Sequence, residues 1–293
     1  MILFKERQHL ELLDKEHFEK MYSDMYAENE LSMYIDYCWE TRFGSLLEEV
    51  PQGFSDVIFP NIGYTYMINL GTPFKIEIDN QVFEVKSSGF LPRHVPIIAH
   101  HSVGNKVFGI KFKVCPIVFE KDVDFSDYKQ YIYPLAYLMD KTIIEKVRAA
   151  QSFQERSHIV FEHYSAVIKM HSRSLEYVTT VTEILKTFEE KNHFNLSIED
   201  IARQYNLSPR TLGKYFETTT SFSSKQALQI IRIRMAVAQL VSNPWEFDYT
   251  KYGYWHYGHF CNHLRQFTAD YYHHFQHLHD NRNNNIINNC DAK

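Results

Sequence analysis

Between Ser197 and Val241 the chain reads as two short helices split by a tight turn, followed by a longer helix, and each boundary has a physical cause. Ser197 with Asp200 three residues on is a capping-box pattern with Asp in the place of the usual Glu or Gln, so a helix starts at Ile198. Ile201, Ala202 and Tyr205 give it one apolar face. Asn206 can take the left-handed conformation that ends a helix. Ser208-Pro209 then supplies a fresh N-cap and a proline at the first helical position, where its missing N–H costs nothing. On the second helix Leu212 and Phe216 point inward, while Arg210, Gly213, Lys214 and Glu217 fall together on the opposite face. The pattern is a helix-turn-helix with a presented face.

That face has the chemistry to read DNA. A helix fits the major groove, where Arg and Lys donate to guanine edges or to phosphates, and Arg210 and Lys214 are the candidates. From Gln204 to Leu240 there are five basic residues, Arg210, Lys214, Lys225, Arg232 and Arg234, against the single acid Glu217, a balance of +4 in a chain of net charge −5. Positive charge is concentrated where nucleic-acid binding needs it. The alternative is a solvated basic face on an ordinary helical bundle, since the helix-turn-helix shape also occurs in proteins that bind no DNA.

The string SIEDIARQYNLSPRTLGKYF, followed by Lys225-Gln-Ala-Leu228 and Arg232-Ile-Arg-Met-Ala236, resembles the DNA-binding domain of AraC/XylS-type bacterial transcription regulators over about the last third of the chain. The resemblance implies two helix-turn-helix units joined by one long helix. Here that helix is Ser223 to Val241, with Ser223 as its cap and Leu228, Ile231, Met235 and Ala238 on its buried side. In the second unit Gly253-Tyr254 stands where the family has Gly-Phe, and Phe260 and Leu264 repeat the spacing of Leu212 and Phe216. Gly258, Cys261, Asn262 and Arg265 form its expected outer face, with His259 at the margin. The resemblance thus implies DNA contacts from Ser208, Pro209, Arg210, Thr211, Gly213, Lys214 and Lys225, and from Tyr257, Gly258, His259, Cys261, Asn262 and Arg265. Asp248-Tyr249 departs from the family's Ile-Ala, and Ala269 and Tyr272 from its Gly and Pro. With two basic residues against four acids from Asn243 to Asp280, the second unit is expected to fold but to bind more weakly, unless protonation of His256, His259 and His263 helps it.

The 293 residues suffice for two domains with substantial cores. A start that mixes charges with apolar residues, and no run of about 18 apolar residues, point to the cytoplasm and away from a membrane. Cys38, Cys115, Cys261 and Cys290 form no C-x-x-C pair and are expected as free thiols.

The first forty residues read as helical or irregular, with β character emerging at residues 31–35. From Pro51 to Val118 short β-branched and aromatic runs at 64–70, 74–78, 82–85, 89–92, 96–100 and 107–114 alternate with turns, which is the texture of a small antiparallel barrel or sandwich. FKIEI and GIKFKV alternate apolar and charged residues, so each should have one wet face. The resemblance places a cupin-like sensor barrel here. The expected fold is therefore α+β: an N-terminal cupin-like antiparallel β-barrel with flanking helices, then an all-α double helix-turn-helix domain. Tyr64, Tyr66, Asn69, Arg93 and His94 are the weak candidates for holding a small-molecule effector, each read first as packing or surface. His94, His100 and His101 do not form a cupin metal set, because adjacent residues on a strand point to opposite faces. No catalytic residue, metal or cofactor is expected.

From Tyr128 to Met170 apolar residues recur at helical spacing, a connector that suits either packing within one chain or pairing of two copies as a homodimer. His171-Ser-Arg-Ser174 is the expected linker, and the helix from Leu175 to Phe188 opens the DNA-binding domain. The division is a sensor domain 1–126, a connector 127–173, a DNA-binding domain 174–280 and a disordered Asn-rich tail 281–293. His273 and His277 stand at a metal-gripping spacing with no third ligand beside them except Asp280. The function expected is a sequence-specific DNA-binding transcription regulator. The competing class is a cupin-like enzyme or sugar-binding module with a helical assembly domain.

Overall fold

The computed structural model describes residues 8–116, 123–128, 131–171, 175–192, 194–268 and 272–275. The linker at 172–174 and the tail at 281–293 lie outside these, as do Cys290 and His277.

The N-terminal half is two facing sheets. The strands are β1 (Gln8–Leu10), β2 (Tyr22–Tyr26), β3 (Ile35–Thr41), β4 (Phe54–Ile58), β5 (Tyr64–Asn69), β6 (Phe74–Ile78), β7 (Gln81–Val85), β8 (Gly89–Pro92), β9 (Ile97–His101), β10 (Val107–Phe112) and β11 (Tyr133–Pro134). One sheet runs β1-β4-β9-β6-β7 and the other β11-β8-β5-β10-β3-β2, antiparallel throughout except where β1 lies parallel to β4. The barrel expectation is corrected on this point: the sheets form an open sandwich, with β1, β7, β11 and β2 as edges. The six strands expected between residues 64 and 114 are present. Those at 22–26, 35–41 and 54–58 were not expected, because mixed sequences such as YSDMY and FSDVI carry neither clean alternation nor a continuous apolar run.

Strand β10 also corrects an expectation. Its alternation of apolar and charged residues promised a wet face, yet all six residues are buried. Phe108, Ile110 and Phe112 pack outward under the helices, while Val107, Gly109 and Lys111 turn to the space between the sheets. Lys111 Nζ is satisfied by the carbonyls of Ile62 at 2.6 Å and Phe112 at 3.0 Å. By contrast β6, FKIEI, keeps the expected pattern, with Phe74, Ile76 and Ile78 buried and Lys75 exposed.

Helix α1 (Lys15–Met21) follows β1, and α2 (Gly44–Glu49) follows β3. After the sandwich, α3 (Lys141–Ala149) and α4 (Phe153–His171) lie on the second sheet, where Arg156 of α4 forms a buried 3.0 Å ion pair with Glu40 of β3. The helical reading at 132–139 is corrected to the short strand β11 and a 3-10 turn. The C-terminal half contains α5 (Glu176–Lys191), α6 (Ile198–Gln204), α7 (Pro209–Thr220), α8 (Ser224–Ser242) and α9 (Tyr257–Thr268), with a 3-10 helix at Tyr249–Tyr252 and a helical stretch at 272–275. One continuous apolar core runs from Ala27 and Tyr34 through Tyr66, Phe112 and Tyr164 to Leu212, Phe216 and Ile231, so the two halves share packing. Among the described residues no helix is long and apolar enough to cross a membrane.

Gly109 is fixed by a close approach. A Cβ there would sit 2.0 Å from Cε2 of Trp39, whose indole lies flat over the paired strand. Gly109→Ala should therefore cost about 1–3 kcal/mol in denaturant unfolding, whereas Gly44→Ala, with nothing within 4 Å of the added carbon, should not destabilise the chain.

Candidate nucleic-acid interface and the cavity beside it

The first helix-turn-helix is built as its sequence dictates. Ser197 caps α6 by accepting from the Asp200 backbone N–H, Asn206 takes φ 55°, and Ser208 caps α7 by accepting from the Thr211 N–H at 3.0 Å with Pro209 in the first turn. Leu212 and Phe216 are fully buried. Ser208, Pro209, Arg210 and Lys214 are exposed, and Thr211 and Gly213 half-exposed. A Cβ on Gly213 would meet nothing within 4 Å. Neither Arg210 nor Lys214 has an ion-pair partner among the described residues, so both are free to donate outward. Lys225, exposed in the first turn of α8, lies beyond them.

Helix α8 has the expected start, a full capping box between Ser223 and Gln226. Its expected buried stripe is half right. Leu228 and Ile231 are core, but Ala236, Val237 and Leu240 take the lower positions, while Met235 and Ala238 border a cavity. The local charge is also smaller than a count along the sequence suggests. Arg232 lies 4.5 Å over the Tyr254 ring, and Arg234 bonds to Glu11 Oε1 at 2.8 Å and to the Pro60 carbonyl at 2.9 Å. With both turned to the protein, the outward balance is Arg210, Lys214 and Lys225 against Glu217, or +2.

In the second unit Phe260 and Leu264 are core, and Gly258, Asn262 and Arg265 are exposed as expected. Cys261 is not: it is buried, because the helix rolls its one small apolar side chain inward. Tyr257 packs against Tyr249 and Phe260, and His259 is half-buried. Arg265 donates to Asn262 Oδ1 at 3.2 Å and lies 4.4 Å over Tyr272, so this face is engaged with itself. The histidine support expected here is also corrected. His263 is buried with its Nδ1 2.6 Å from the Tyr254 hydroxyl, and burial, with Arg232 and His259 nearby, lowers its pKa to about 4. Burial lowers His259 as well. Between pH 8 and 6 His263 stays neutral.

Beside α8, between the two sheets, lies a cavity of about 960 Å³. Its wall is mainly apolar, from both sheets, with α1 and the Met235 and Ala238 turn of α8 at the mouth. Of the five effector candidates only Arg93 reaches it. Thr65 and Met67 of β5 face the cavity, so Tyr64 and Tyr66 face away. The Tyr64 hydroxyl donates to the Phe125 carbonyl at 2.9 Å and meets Ser221 Oγ at the end of α7. Tyr66 packs against Phe90 and Phe112. Asn69 holds a turn, donating to the Thr72 and Val85 carbonyls at 3.2 Å and accepting from the Gly71 N–H. The His94 ring packs on Phe222 and Tyr64.

The residues missed from the sequence are Glu11, Lys111 and Arg234. Glu11 accepts from Arg93 of the sandwich at 3.0 Å and from Arg234 of α8 at 2.8 Å. Burial alone would raise its carboxyl, but the two guanidinium charges override that and hold it below the ordinary range. Burial lowers the Lys111 pKa to about 7. The unfolded lysine titrates near 10.4, so between those values the unfolded chain binds the extra proton and stability rises with pH. Unfolding free energy measured from pH 7 to 10 should climb in the wild type, and Lys111→Met should flatten that climb.

No protein-family model and no curated protein matches the chain. Among solved structures, ToxT from Vibrio cholerae is similar at 12% identity and a TM-score of 0.39, covering 75% of this chain and 97% of that one. ToxT from Vibrio cholerae O395 is similar at 14% and 0.41, covering 73% and 89%. The AraC-like transcriptional activator CuxR is similar at 11% and 0.21, covering 76% and 89%. Likenesses this distant carry no weight on function, which rests on the chain's own residues.

Proposed function

We propose that this chain is an AraC/XylS-type, sequence-specific regulator of transcription that binds double-stranded DNA and answers to a small molecule held in its N-terminal sandwich. The observation that carries the reading is α7. A twelve-residue helix is capped at both ends, packed by Leu212 and Phe216, and presents Arg210 and Lys214 without an ion-pair partner among the described residues. Helix α8, 19 residues long and so about 28 Å, separates α7 from α9 by a span that suits successive major grooves about 34 Å apart. The second unit contributes less, since Asn262 and Arg265 must first exchange contacts with each other and with Tyr272. The proposed division keeps a sensor domain at 1–126, a connector at 127–173, a DNA-binding domain at 174–280 and a tail at 281–293. Half-exposed Ile159, Phe161 and Val167 on α4 are where a second copy would pair in a homodimer.

The cavity supports the sensing half of the proposal. It borders both the sandwich and α8, so a ligand there touches the element that carries both helix-turn-helix units. An effector alters DNA affinity only by binding the competent arrangement differently, and a wall shared by both domains is a place where it can. Apolar walls select a largely apolar molecule. Lys111 is the wall's one lysine or arginine without a carboxylate in ion-pair range among the described residues, since Lys15 faces Glu19 and Arg93 faces Glu11, and a bound acid would favour its charged form. It would receive an acidic group.

Binding sites selected from random duplex DNA by the full chain should give one recurrent motif, with affinity that falls steeply as salt rises. Arg210→Ala and Lys214→Ala should each weaken that binding by about 1–3 kcal/mol if they read bases, with helical content unchanged. Equal binding by the double variant would refute the assignment and leave the binding module as the better reading. In thermal shift measurements an amphipathic carboxylic acid should stabilise the wild type more than its methyl ester does, and Lys111→Met should erase the difference.

A further inference from the structure

Asp56 of β4 is completely buried, and among the described residues no lysine or arginine stands within ion-pair distance of it. Its neighbours are three histidines and a tyrosine. His17 Nε2 of α1 is 2.9 Å and His9 Nδ1 of β1 3.5 Å from Oδ1. His101 Nε2 of β9 is 3.6 Å from Oδ2, to which the Tyr22 hydroxyl donates at 2.5 Å. The His9 and His17 rings stack in parallel with centroids 3.6 Å apart beside the same carboxylate oxygen, so one ring must turn out of the stack for both in-plane lone pairs to meet one ion. Among the described residues His9 Nδ1 and both ring nitrogens of the buried His101 have no hydrogen-bond partner.

A buried carboxylate without a cation costs several kcal/mol, and buried polar atoms without partners add to that cost. Both costs fall on one point of the fold and would be met by one ligand. In tetrahedral zinc sites bonds to His and Asp are about 2.0–2.2 Å, which puts neighbouring ligand atoms about 3.3 Å apart. The separations of 2.9 and 3.5 Å from Asp56 Oδ1 bracket that spacing, and the candidate ligand atoms of His9, His17 and Asp56 lie within 4.8 Å of one another. We propose that His9, His17 and Asp56 form a three-ligand binding site for a divalent transition-metal ion, zinc by its two nitrogens and one carboxylate oxygen. Tyr22 orients the carboxylate by holding Oδ2, the outer-shell role that metal sites commonly assign to a hydrogen-bond donor. The ion would pin β1 and α1 onto the first sheet. Glu11, two residues past His9, carries the link to Arg234, so metal and domain contact share one short segment.

The site is independent of the DNA-binding reading and is tested without DNA. Because His273, His274, His277 and His279 could take up metal by themselves, the full chain is made with those four replaced by Gln. It is stripped with chelator, given equimolar zinc chloride and dialysed. The expected result is one zinc retained per chain by elemental analysis, a higher melting temperature than the stripped protein, and visible d–d bands when cobalt(II) replaces zinc. Asp56→Asn and His17→Gln on that background should each lose the retained metal, and Tyr22→Phe should weaken zinc about 10- to 100-fold. Circular dichroism checks the fold, and if Asp56→Asn does not fold, His17→Gln, at a half-buried ring, decides. No zinc retained by the background chain, or retention unchanged in a folded His17→Gln variant, would overturn the proposal.

Discussion

The relation between the two halves of this protein turns on one carboxylate. Glu11, at the end of the short strand β1, accepts from Arg93 of the sandwich and from Arg234 of α8, and each guanidinium also donates to a carbonyl, Phe59 for Arg93 and Pro60 for Arg234. Two guanidinium groups that close together repel, so the arrangement exists only while Glu11 is ionised between them, and its depressed carboxyl is the expression of that. The link holds above the ordinary glutamate range and is lost only as pH falls through the lowered value. Removing one partner would leave an uncompensated, partly buried charge, the costly way to break such a set. A second contact, of Tyr64 and Ser221 around the Phe125 carbonyl, ties the end of α7 to the same sandwich. Helices α7 and α8 are therefore each fixed to the N-terminal sandwich by polar contacts as well as by packing.

How much of this could be read from residues alone depended on whether the signal was local. The first helix-turn-helix was legible almost to the residue, because caps at Ser197, Ser208 and Ser223 and the turn at Asn206 are decided by atoms a few positions apart. The strands from Tyr64 to Phe112 were legible for the same reason. What the sequence could not convey was which face of a strand looks where. In β5 all six residues are buried, so alternation carries no polarity and could not tell that Thr65 and Met67, rather than Tyr64 and Tyr66, face the cavity. Lys111 misled for a related reason: a charged residue in alternation normally marks a wet face, and here it marks an amine satisfied by two backbone carbonyls.

Charge shows the same limit. Five basic residues in one stretch looked like a single binding surface, yet Arg232 and Arg234 are held by Tyr254 and Glu11. No rule of spacing on α8 separates a guanidinium that meets phosphate from one that meets a carboxylate 223 residues away in sequence. The histidines erred in the opposite direction. Their number near the C-terminus drew attention to a region where His263 is locked to a tyrosine and titrates far below neutrality, while His9 and His17, eight residues apart on a strand and a helix, converge only because α1 folds back over β4.

In the proposed DNA binding, these placements make the two helix-turn-helix units unequal in kind as well as in charge. Arg210 and Lys214 have no ion-pair partner among the described residues, so a contact with DNA would displace solvent alone. Asn262 and Arg265 already satisfy each other, and Arg265 covers Tyr272, so each contact they make with a base or phosphate must first replace one within the protein. Unequal starting points let one unit set affinity while the other adjusts it. The unit that sets affinity is also the one tied to the sandwich through Ser221 and, along α8, through Arg234. A change in the space between the sheets can then reach α7 by moving the base of that helix, leaving its presented face intact. Coupling of this kind needs no path through the domain core, only that the cavity wall and the helix anchor include the same turns of α8, as Met235 and Arg234 do.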